Sequence, residues 1–338
     1  MDSSTDYRLL YATSPYSDLA ALPEQANVSA RRLPLNERWQ TIAWQRLRLP
    51  LWADLLAGGA DVFHSPDFVL PPVRRARTAV TVHDLTFVVR PECAEPSLRR
   101  YLAREVPRSL HRADRVLADS QSTADDLMRL FGVPARRLEV VYSAADARFR
   151  PLDAADAEAL LDGIEAPRPF ILTVGTLEPR KNVSRLIDAF ASLDVPHQLV
   201  VVGARGWLFG DVLTKLRQPR VFAPERVSDD QLVGLYNLAD AFVLPSLYEG
   251  FGLPALEAMA CGTPVAVSNV SSLPEVVGSA GLTFDPEDTA AIATAVRRLA
   301  NDPALREELR AAGLEQAQRF SWRTSALQLK GIYESFAA

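Results

Sequence analysis

Lysine and cysteine are both scarce in this chain of 338 residues. The lysines are Lys181, Lys215 and Lys330 alone, so arginine carries nearly all of the positive charge. The two cysteines, Cys93 and Cys261, lie far apart in the sequence and show no metal-ligand spacing. This usage is typical of a protein from a reducing compartment.

The sequence also lacks a basic block, a signal peptide and a long apolar run. Its formal net charge is −5, so the electrostatic footprint of a nucleic-acid-binding protein is absent. No run approaches the length that crosses a bilayer, and the N-terminus has no apolar core of a leader peptide. We therefore expect a cytoplasmic protein, and attachment to the inner face of a membrane stays open.

Three ligand motifs are absent as well. The sequence contains no Asp-x-Asp pair, no Gly-x-x-x-x-Gly-Lys loop and no Gly-x-Gly-x-x-Gly fingerprint. Their absence argues against a carboxylate-held metal, nucleoside triphosphate hydrolysis and a dinucleotide cofactor. We predict a site that works without a metal ion or an organic cofactor.

Short apolar runs alternate with amphipathic stretches along the chain, which predicts an α/β fold with parallel sheets covered on both faces. The length fits two Rossmann-like domains, at residues 1–150 and 151–320, followed by a last helix at residues 321–338. Strands are predicted at Tyr7–Ala12, Asp61–His64, Thr78–Val82, Arg115–Ala118, Leu138–Tyr142, Phe170–Val174, Gln198–Val202, Ala241–Leu244 and Pro264–Val267. Helices are predicted at Trp39–Leu56, Ser97–Arg112, Thr123–Phe131, Val183–Leu193, Asp229–Leu238, Pro254–Ala260, Pro286–Leu299 and Ser321–Phe336.

The most informative segment follows the predicted strand Ala241–Leu244. Glu249 precedes a loop with Gly250 and Gly252, and Glu257 lies about one turn into the next helix. Glycine lets a ligand approach the backbone, and the N–H groups of Phe251–Leu253 at a helix N-terminus suit an anion. Two carboxylates at one small volume accept hydrogen bonds from vicinal hydroxyls, as on a ribose or a hexose.

A second segment follows the predicted strand Phe170–Val174. It begins with Gly175 and Thr176, continues to the cations Arg180 and Lys181, and ends at Asn182, a predicted N-cap. A lysine beside a forked arginine suits a diphosphate, and a lysine is notable in a chain that otherwise uses arginine.

A third segment places His83 and Asp84 directly after the predicted strand Thr78–Val82. In α/β sheets ligands bind at the carboxyl ends of strands, and between two such domains the cleft is the default site. His83 then faces the cleft, although a strand-end histidine that caps backbone is an equally common arrangement.

Taken together, these residues resemble the family 4 glycosyltransferases of the GT-B fold, and in particular their mannosyltransferase-like group. The residues Glu249 and Glu257, separated by seven positions, match the paired-glutamate motif of that family. The run from Val174 to Asn182 matches its basic diphosphate loop. The resemblance implies two Rossmann-like domains facing across a cleft, and metal-independent transfer of a hexose from a nucleotide-diphosphate sugar with retention at the anomeric carbon.

The resemblance also implies roles for individual residues. Glu257 would bind the ribose, and Glu249 with the Phe251–Leu253 backbone would hold the sugar. Arg180 and Lys181 would bind the diphosphate, next to Gly175 and Thr176. His83 would contact the sugar near the reacting carbon, Val227 would lie by the base, and the last helix would cross back onto the first domain.

Partners follow from the same resemblance. A GDP- or UDP-hexose of mannose or glucose type would be the donor, and a glycan or a lipid-linked sugar the acceptor, with no nucleic-acid partner. Association with a membrane surface and homo-oligomer formation stay open.

The sequence departs from the family at its start. Family members usually begin with a strand, a glycine-rich loop and a helix before the strand that matches Tyr7–Ala12. We therefore expect the first strand, loop and helix of the N-terminal domain to be missing, which would leave a gap or an edge in the first sheet. Donor binding is expected to persist, whereas transfer is expected to be poor.

Two other interpretations are compatible with this architecture. One is another enzyme of the same fold, either a nucleotide-sugar epimerase or a glycan phosphorylase. The Glu249/Glu257 and Arg180/Lys181 pairs favour an epimerase less than a transferase, and the scarcity of lysine argues against a phosphorylase, which carries a lysine-bound pyridoxal phosphate. The other is a degenerate donor-binding subunit that needs a partner for activity.

Overall fold

The computed structural model describes residues 5–13, 26–47, 49–208, 210–224 and 226–336. In this part of the chain every paired strand runs parallel to its neighbour, in two sheets in the first half and one in the second. Parallel strands need a crossover connection between them, and helices provide it here. The predicted α/β class is confirmed.

The first half has a two-stranded sheet, β1-β2, and a four-stranded sheet in the order β3-β4-β5-β6. The strands are β1 Tyr7–Thr13, β2 Val28–Asn36, β3 Val62–Ser65, β4 Arg77–Val82, β5 Arg115–Ala118 and β6 Leu138–Val140. The prediction that Tyr7–Ala12 is a buried strand is wrong as to burial, since Leu9 is 41 % exposed. A cavity of about 1090 Å³ explains this, because residues of both β1 and β3 line it.

The single helix predicted at Trp39–Leu56 is also wrong. The segment forms α1 Glu37–Thr41, a π-helical turn Ile42–Arg46 and, after Pro50, the short helix α2 Ala53–Leu56. Proline has no backbone N–H and its ring clashes with the preceding turn, so a continuous helix through Pro50 is disfavoured.

The remaining helices of the first half are α3 Thr86–Val89, α4 Pro96–Arg112 and α5 Gln121–Phe131. Helix α5 begins two residues earlier than predicted. Its N-cap is Ser120, whose side chain accepts a hydrogen bond from the Thr123 N–H. It ends at Gly132, which adopts the left-handed conformation with φ +64°.

The second half contains a six-stranded sheet in the order β12-β11-β10-β7-β8-β9. Its strands are β7 Phe170–Val174, β8 Gln198–Val202, β9 Val221–Phe222, β10 Ala241–Leu244, β11 Val265–Ser268 and β12 Gly281–Phe284. Its helices are α6 Ala154–Ala159, α7 Val183–Ala191, α8 Gly210–Lys215, α9 Asp229–Leu238, α10 Leu253–Ala260, α11 Leu273–Val277, α12 Thr289–Asn301 and α13 Pro303–Ala317. The strands β7 and β10 are neighbours at the centre of the sheet, so the loops that follow them meet at one edge.

The last helix, α14 Trp322–Glu334, lies against the first half. Its Tyr333 hydroxyl is 2.6 Å from Nδ1 of His64, and its Ser325 hydroxyl donates to the carbonyl of Tyr142 at 2.6 Å. Ile332 packs against residues of β4 and β5. No helix in the described part of the chain is both long and apolar enough to cross a membrane.

The partly buried His64 predicts a stability change with pH. Burial, together with the nearby charge of His83, lowers the pKa of His64 from 6.5 to about 4. The unfolded chain therefore binds more protons between these values, and the free energy of unfolding falls as the pH drops through this window. The expected loss is about 3 kcal/mol in total.

Denaturant unfolding at several pH values measures this dependence. The variant His64→Gln should lose this component of the pH dependence. Equal slopes in the two proteins between pH 4 and 6.5 would contradict the assignment.

Candidate functional site

The loop after β7 carries two cations to the edge of the second-half sheet. It leaves the strand at Gly175 and ends in a tight turn, Pro179–Lys181. A Cβ atom added at Gly175 would lie 3.1 Å from Cδ of Lys181, so glycine makes room for the lysine stem. The Lys181 side chain is consequently buried, although it carries a charge.

Asn182 ends this turn in the left-handed conformation, with φ +55°. Asn182 is the N-cap residue of helix α7, as predicted, but its side chain accepts no hydrogen bond from a backbone N–H of that helix. The side-chain amide instead donates to the carbonyl of Pro245 at 3.0 Å and to that of Pro286 at 2.8 Å. Asn182 therefore ties the loop after β7 to the loops that follow β10 and β12.

Glu249, in the loop after β10, lies between the two cations. Its Oε2 accepts from Nη1 of Arg180 at 2.7 Å, and its Oε1 accepts from Nζ of Lys181 at 2.5 Å. The Ser246 hydroxyl donates to the same Oε1 at 2.7 Å. Burial alone would raise the pKa of Glu249, but the charges of Lys181 and Arg180 outweigh burial and lower this pKa to about 2.

A second buried acid, Glu178, completes the cluster. Its Oε1 accepts from Nε of Arg180 at 2.9 Å and lies 2.7 Å from Nη2. Burial raises the pKa of Glu178, although the neighbouring cations oppose the shift. The sequence analysis missed this residue. Glu178 stands two positions before Arg180, in the loop whose cations were predicted to bind a ligand. This closeness was the sequence signal that could have identified Glu178 as part of the site.

Gly250 marks a close contact between the two halves. A Cβ atom there would lie 2.0 Å from the carbonyl oxygen of His83 and 3.0 Å from Cβ of Asp84. The sequence analysis explained this glycine by the approach of a ligand, but the group that approaches is the backbone of the first half. Gly252 is required for another reason, since its φ of +106° lies in the left-handed region.

His83, directly after β4, is held by two acceptors. Its Nδ1 is 2.7 Å from a carboxylate oxygen of Asp119, and its Nε2 is 2.8 Å from the carbonyl of Pro66. Both contacts are satisfied at once only when both ring nitrogens carry a proton. The hydrogen bond to Asp119 raises the pKa of His83 accordingly, against the opposing effect of burial.

Glu257 lies on helix α10 and has a different partner from Glu249. The Tyr236 hydroxyl donates to its Oε2 at 3.0 Å, and burial raises the pKa of Glu257. Val227 packs against the apolar cluster that contains Tyr236. Thr176 is half-buried, and a Cβ at Gly206 would lie 2.7 Å from its methyl carbon.

The N-terminus of α10 offers backbone donors beside Glu249. The helix spans Leu253–Ala260, and its N-cap Gly252 has no side chain to cap it. The Ala255 N–H donates to the Gly252 carbonyl at 3.0 Å, and within the described chain the N–H groups of Phe251–Leu253 have no acceptor. Such free N–H groups at a helix start attract an anion or a hydroxyl oxygen.

The structure therefore brings Arg180, Lys181 and Glu249 into direct contact. His83 belongs to the first half, and its backbone lies against Gly250, the residue that follows Glu249. Glu257 and Val227 lie with the Tyr236 cluster instead. Across the described ranges, no group of three histidine, cysteine or acidic side chains is arranged to hold a metal ion. This arrangement can hold a divalent anion at the cations and hydroxyl groups at the carboxylates.

Comparison with known proteins gives matches over both halves. Residues 6–149 match the family described as Glycosyltransferase Family 4, and residues 162–316 match the family described as Glycosyl transferases group 1. O-antigen chain mannosyltransferase B of Escherichia coli is 38 % identical over 283 residues, which are 81 % of this chain and 74 % of that protein. The serotype-specific mannosyltransferase WbdA of Escherichia coli is 33 % identical over 76 % of this chain, but this covers only 33 % of WbdA.

Solved structures agree on the fold. A sucrose-phosphate synthase from Thermosynechococcus elongatus superimposes with a TM-score of 0.76 and 25 % identity, over 97 % of this chain and 88 % of that one. HepE from Anabaena, solved in complex with UDP and glucose, gives a TM-score of 0.70 at 20 % identity, over 91 % of this chain and 86 % of that one. The predicted arrangement of two Rossmann-like domains is confirmed.

The contact between His83 and Asp119 predicts a measurable pKa. The variant Asp119→Asn should lower the pKa of His83, because the hydrogen bond to the carboxylate is the main cause of the raised value. NMR titration of the imidazole nitrogens measures it directly, and His111, which is exposed on α4, is the internal control. A pKa of His83 that does not change in the variant would show that the two side chains are not in contact.

Proposed function

The chain belongs to the family 4 glycosyltransferases, and from this premise we propose that it transfers a hexose from a nucleotide-diphosphate sugar, with retention and without a metal ion, to a glycan or lipid-linked acceptor. The observation that carries the proposal is the contact of Arg180 and Lys181 with Glu249 at the carboxyl ends of two neighbouring strands. Two cations beside a carboxylate fit a diphosphate joined to a hydroxylated ring.

The donor would lie along the edge of the second-half sheet. Its diphosphate would contact Arg180 and Lys181, which Gly175 and Thr176 border in the same loop. Its sugar hydroxyls would bind Glu249 and the backbone N–H groups at the start of α10. Glu249 and the start of α10 are neighbours in the structure, because the loop that carries Glu249 leads directly into this helix at Leu253.

The nucleoside would extend toward Glu257 on helix α10. This carboxylate already accepts a hydrogen bond from Tyr236, which fixes its orientation and leaves its other oxygen for a ribose hydroxyl. Val227 packs against the same apolar cluster and would contact the base. A GDP- or UDP-sugar meets these requirements equally well.

In the reaction, the bond between the anomeric carbon and the diphosphate oxygen breaks, and a bond from that carbon to the acceptor oxygen forms. The nucleoside diphosphate leaves with the electron pair of the broken bond, and its phosphate oxygen takes up the proton that the acceptor hydroxyl loses. Negative charge therefore grows on the diphosphate in the transition state. Lys181 and Arg180 would stabilise it, because preorganised charges act where charge develops.

His83 would sit at the junction of donor and acceptor. It follows β4 in the first half, and its backbone touches Gly250 of the donor loop. The imidazole, held between Asp119 and the carbonyl of Pro66, would lie beside the sugar near the reacting carbon. Its position is fixed from both sides, as transition-state stabilisation requires.

The acceptor is proposed from the relatives. Two of them are named as mannosyltransferases, one of an O-antigen chain. By analogy, a mannose-type hexose and a growing polysaccharide or its lipid-linked precursor are the proposed substrates, with the enzyme in the cytoplasm.

Donor binding without metal can be tested by thermal unfolding. GDP or UDP should raise the melting temperature, and EDTA should not remove the effect. Ligand at a hundred times its dissociation constant should add about 2.7 kcal/mol. Guanosine and uridine, which lack phosphates, are the controls. Stabilisation that needs an added divalent cation would contradict the metal-free proposal.

The variant Lys181→Ala should reduce turnover by about 10²–10³, the scale for removing one preorganised stabiliser of transition-state charge. The affinity for the nucleotide sugar should change far less, because the charge on the diphosphate grows as the bond breaks. Steady-state kinetics with the sugar donor separates the two effects.

Lys215→Ala is the matched control, since Lys215 pairs with Asp188 on the surface of the same half. Turnover near the wild-type value in Lys181→Ala would exclude Lys181 as a contact of the leaving group.

A further inference from the structure

Helix α5 of the first half begins against the second half. It directly follows Ser120 and Asp119, and the Asp119 carboxylate holds the imidazole of His83. In its first turn, the Thr123 hydroxyl donates to the carbonyl of Gly250 at 3.3 Å. A displacement of this helix start would therefore move the group that orients His83.

The first three N–H groups of α5 all have an acceptor, although a helix provides none for them within itself. The Ser120 hydroxyl accepts from the Thr123 N–H at 3.1 Å, which is ordinary N-capping. The N–H groups of Gln121 and Ser122 donate to the carboxylate of Glu275 at 2.9 and 3.2 Å. Glu275 lies on α11, so a side chain of the second half completes the cap of a helix in the first half.

A third donor, Tyr142, holds the same carboxylate. Its hydroxyl donates to Oε1 of Glu275 at 2.7 Å, and burial together with this hydrogen bond raises the pKa of Tyr142 to about 12. Tyr142 lies just after β6 of the first half, and its ring centroid is 6.2 Å from that of Phe251 in the second half. Glu275 is half-buried, and hydrogen bonds to a charged group are stronger than those between neutral groups.

The segment that carries Glu275 also holds the backbone of Glu249. The Glu249 N–H donates to the Ser271 hydroxyl at 2.9 Å. The Ser272 hydroxyl lies 3.0 Å from the carbonyl of Glu249 and 2.8 Å from that of Phe251. Ser271 has a φ of +53°, a conformation that a residue with a side chain adopts at a cost and keeps only where its surroundings hold it.

We propose that Glu275 is a positioning residue that fixes His83 relative to Glu249. Its carboxylate holds the start of α5, while its neighbours Ser271 and Ser272 hold the backbone of Glu249. Its role is indirect, because its two oxygens already accept from three donors of the first half. The inference rests on the proposed function, since it gives Glu275 an effect on sugar transfer.

Hydrogen–deuterium exchange of the chain alone tests the contact without any sugar donor. The amides of Gln121 and Ser122 should be protected in the wild type, whereas the first N–H groups of a helix ordinarily exchange fast. Glu275→Gln replaces one carboxylate oxygen by an amide group, which cannot accept a hydrogen bond. Exchange at these two amides should then be faster by about tenfold or more, the scale for losing a hydrogen bond to a charged group. Equal exchange in the two proteins would overturn the proposal.

Steady-state kinetics with the sugar donor tests the positioning role. Glu275→Gln should lower turnover by about tenfold or more and leave KM for the donor nearly unchanged, because the proposed donor contacts belong to the second half. Gln121→Pro should act in the same way, since proline lacks the N–H but is well accepted at the first position of a helix. Ser120 before it is already extended, as a residue that precedes proline prefers.

Gln121→Ala is the matched control, because it removes the same side chain and keeps the N–H, so turnover should stay near the wild-type value. A second control is Glu287→Gln, which breaks an exposed ion pair between the halves, with Arg90, and should have little effect. The double variant of Gln121→Pro and Glu275→Gln should be little worse than the more impaired single variant, since both changes remove one contact. Circular dichroism and melting temperature verify that each variant is folded.

Three results would overturn the positioning role. They are normal turnover in Glu275→Gln, an equal loss in Gln121→Ala and Gln121→Pro, and fully additive losses in the double variant. A wild type that transfers no sugar would instead contradict the proposed function, and the exchange of the Gln121 and Ser122 amides would still decide whether Glu275 holds the two halves together.

Discussion

A buried carboxylate between two cations organises the site. Removing Glu249 from water is costly, and only close cations and hydrogen-bond donors compensate for that cost. Arg180, Lys181 and Ser246 supply them at 2.5–2.7 Å. Neighbouring residues keep the cations next to Glu249. Gly175 leaves room for the aliphatic part of the Lys181 side chain, and the amide of Asn182 bonds to Pro245 in the loop after β10. Loops that must hold charges at such distances have little conformational freedom, which is why the two strand ends form one rigid edge.

The same loop joins the two halves. The backbone of His83 approaches Gly250 so closely that no other residue fits there, and the Thr123 hydroxyl donates to the Gly250 carbonyl at 3.3 Å. The Tyr248 hydroxyl, next to Glu249, donates to Asp126 at 2.8 Å. A shift of the first half is therefore transmitted directly to the loop that carries Glu249. In the proposed reaction, this coupling sets the distance between His83 and the sugar.

Much of the site was predictable from sequence, because its residues follow apolar runs. The strands at Phe170–Val174 and Ala241–Leu244 were predicted with the observed bounds, so Arg180, Lys181 and Glu249 were expected at the sheet edge. Their mutual ion pairs were not predictable, since a pattern gives positions along one chain and not partners across loops. The place of Glu178 two positions before Arg180 was a signal for its position, but its ion pair with Arg180 was not predictable either. The single helix predicted at Trp39–Leu56 is not observed, because apolar periodicity continues in the sequence past Pro50, whereas the proline there disfavours a continuous helix.

The charge balance of the cluster bears on how a donor would be recognised. Glu178 and Glu249 face Arg180 and Lys181, so two acids balance two cations. A diphosphate that binds the cations must then replace Glu249 as their partner, and a displaced buried carboxylate is costly unless it finds new donors. The hydroxyls of a sugar attached to that diphosphate are such donors. Under the proposed function, Glu249 therefore links recognition of the phosphates to recognition of the sugar. The diphosphate replaces Glu249 at the cations, the sugar hydroxyls replace the cations at Glu249, and neither replacement is favourable without the other.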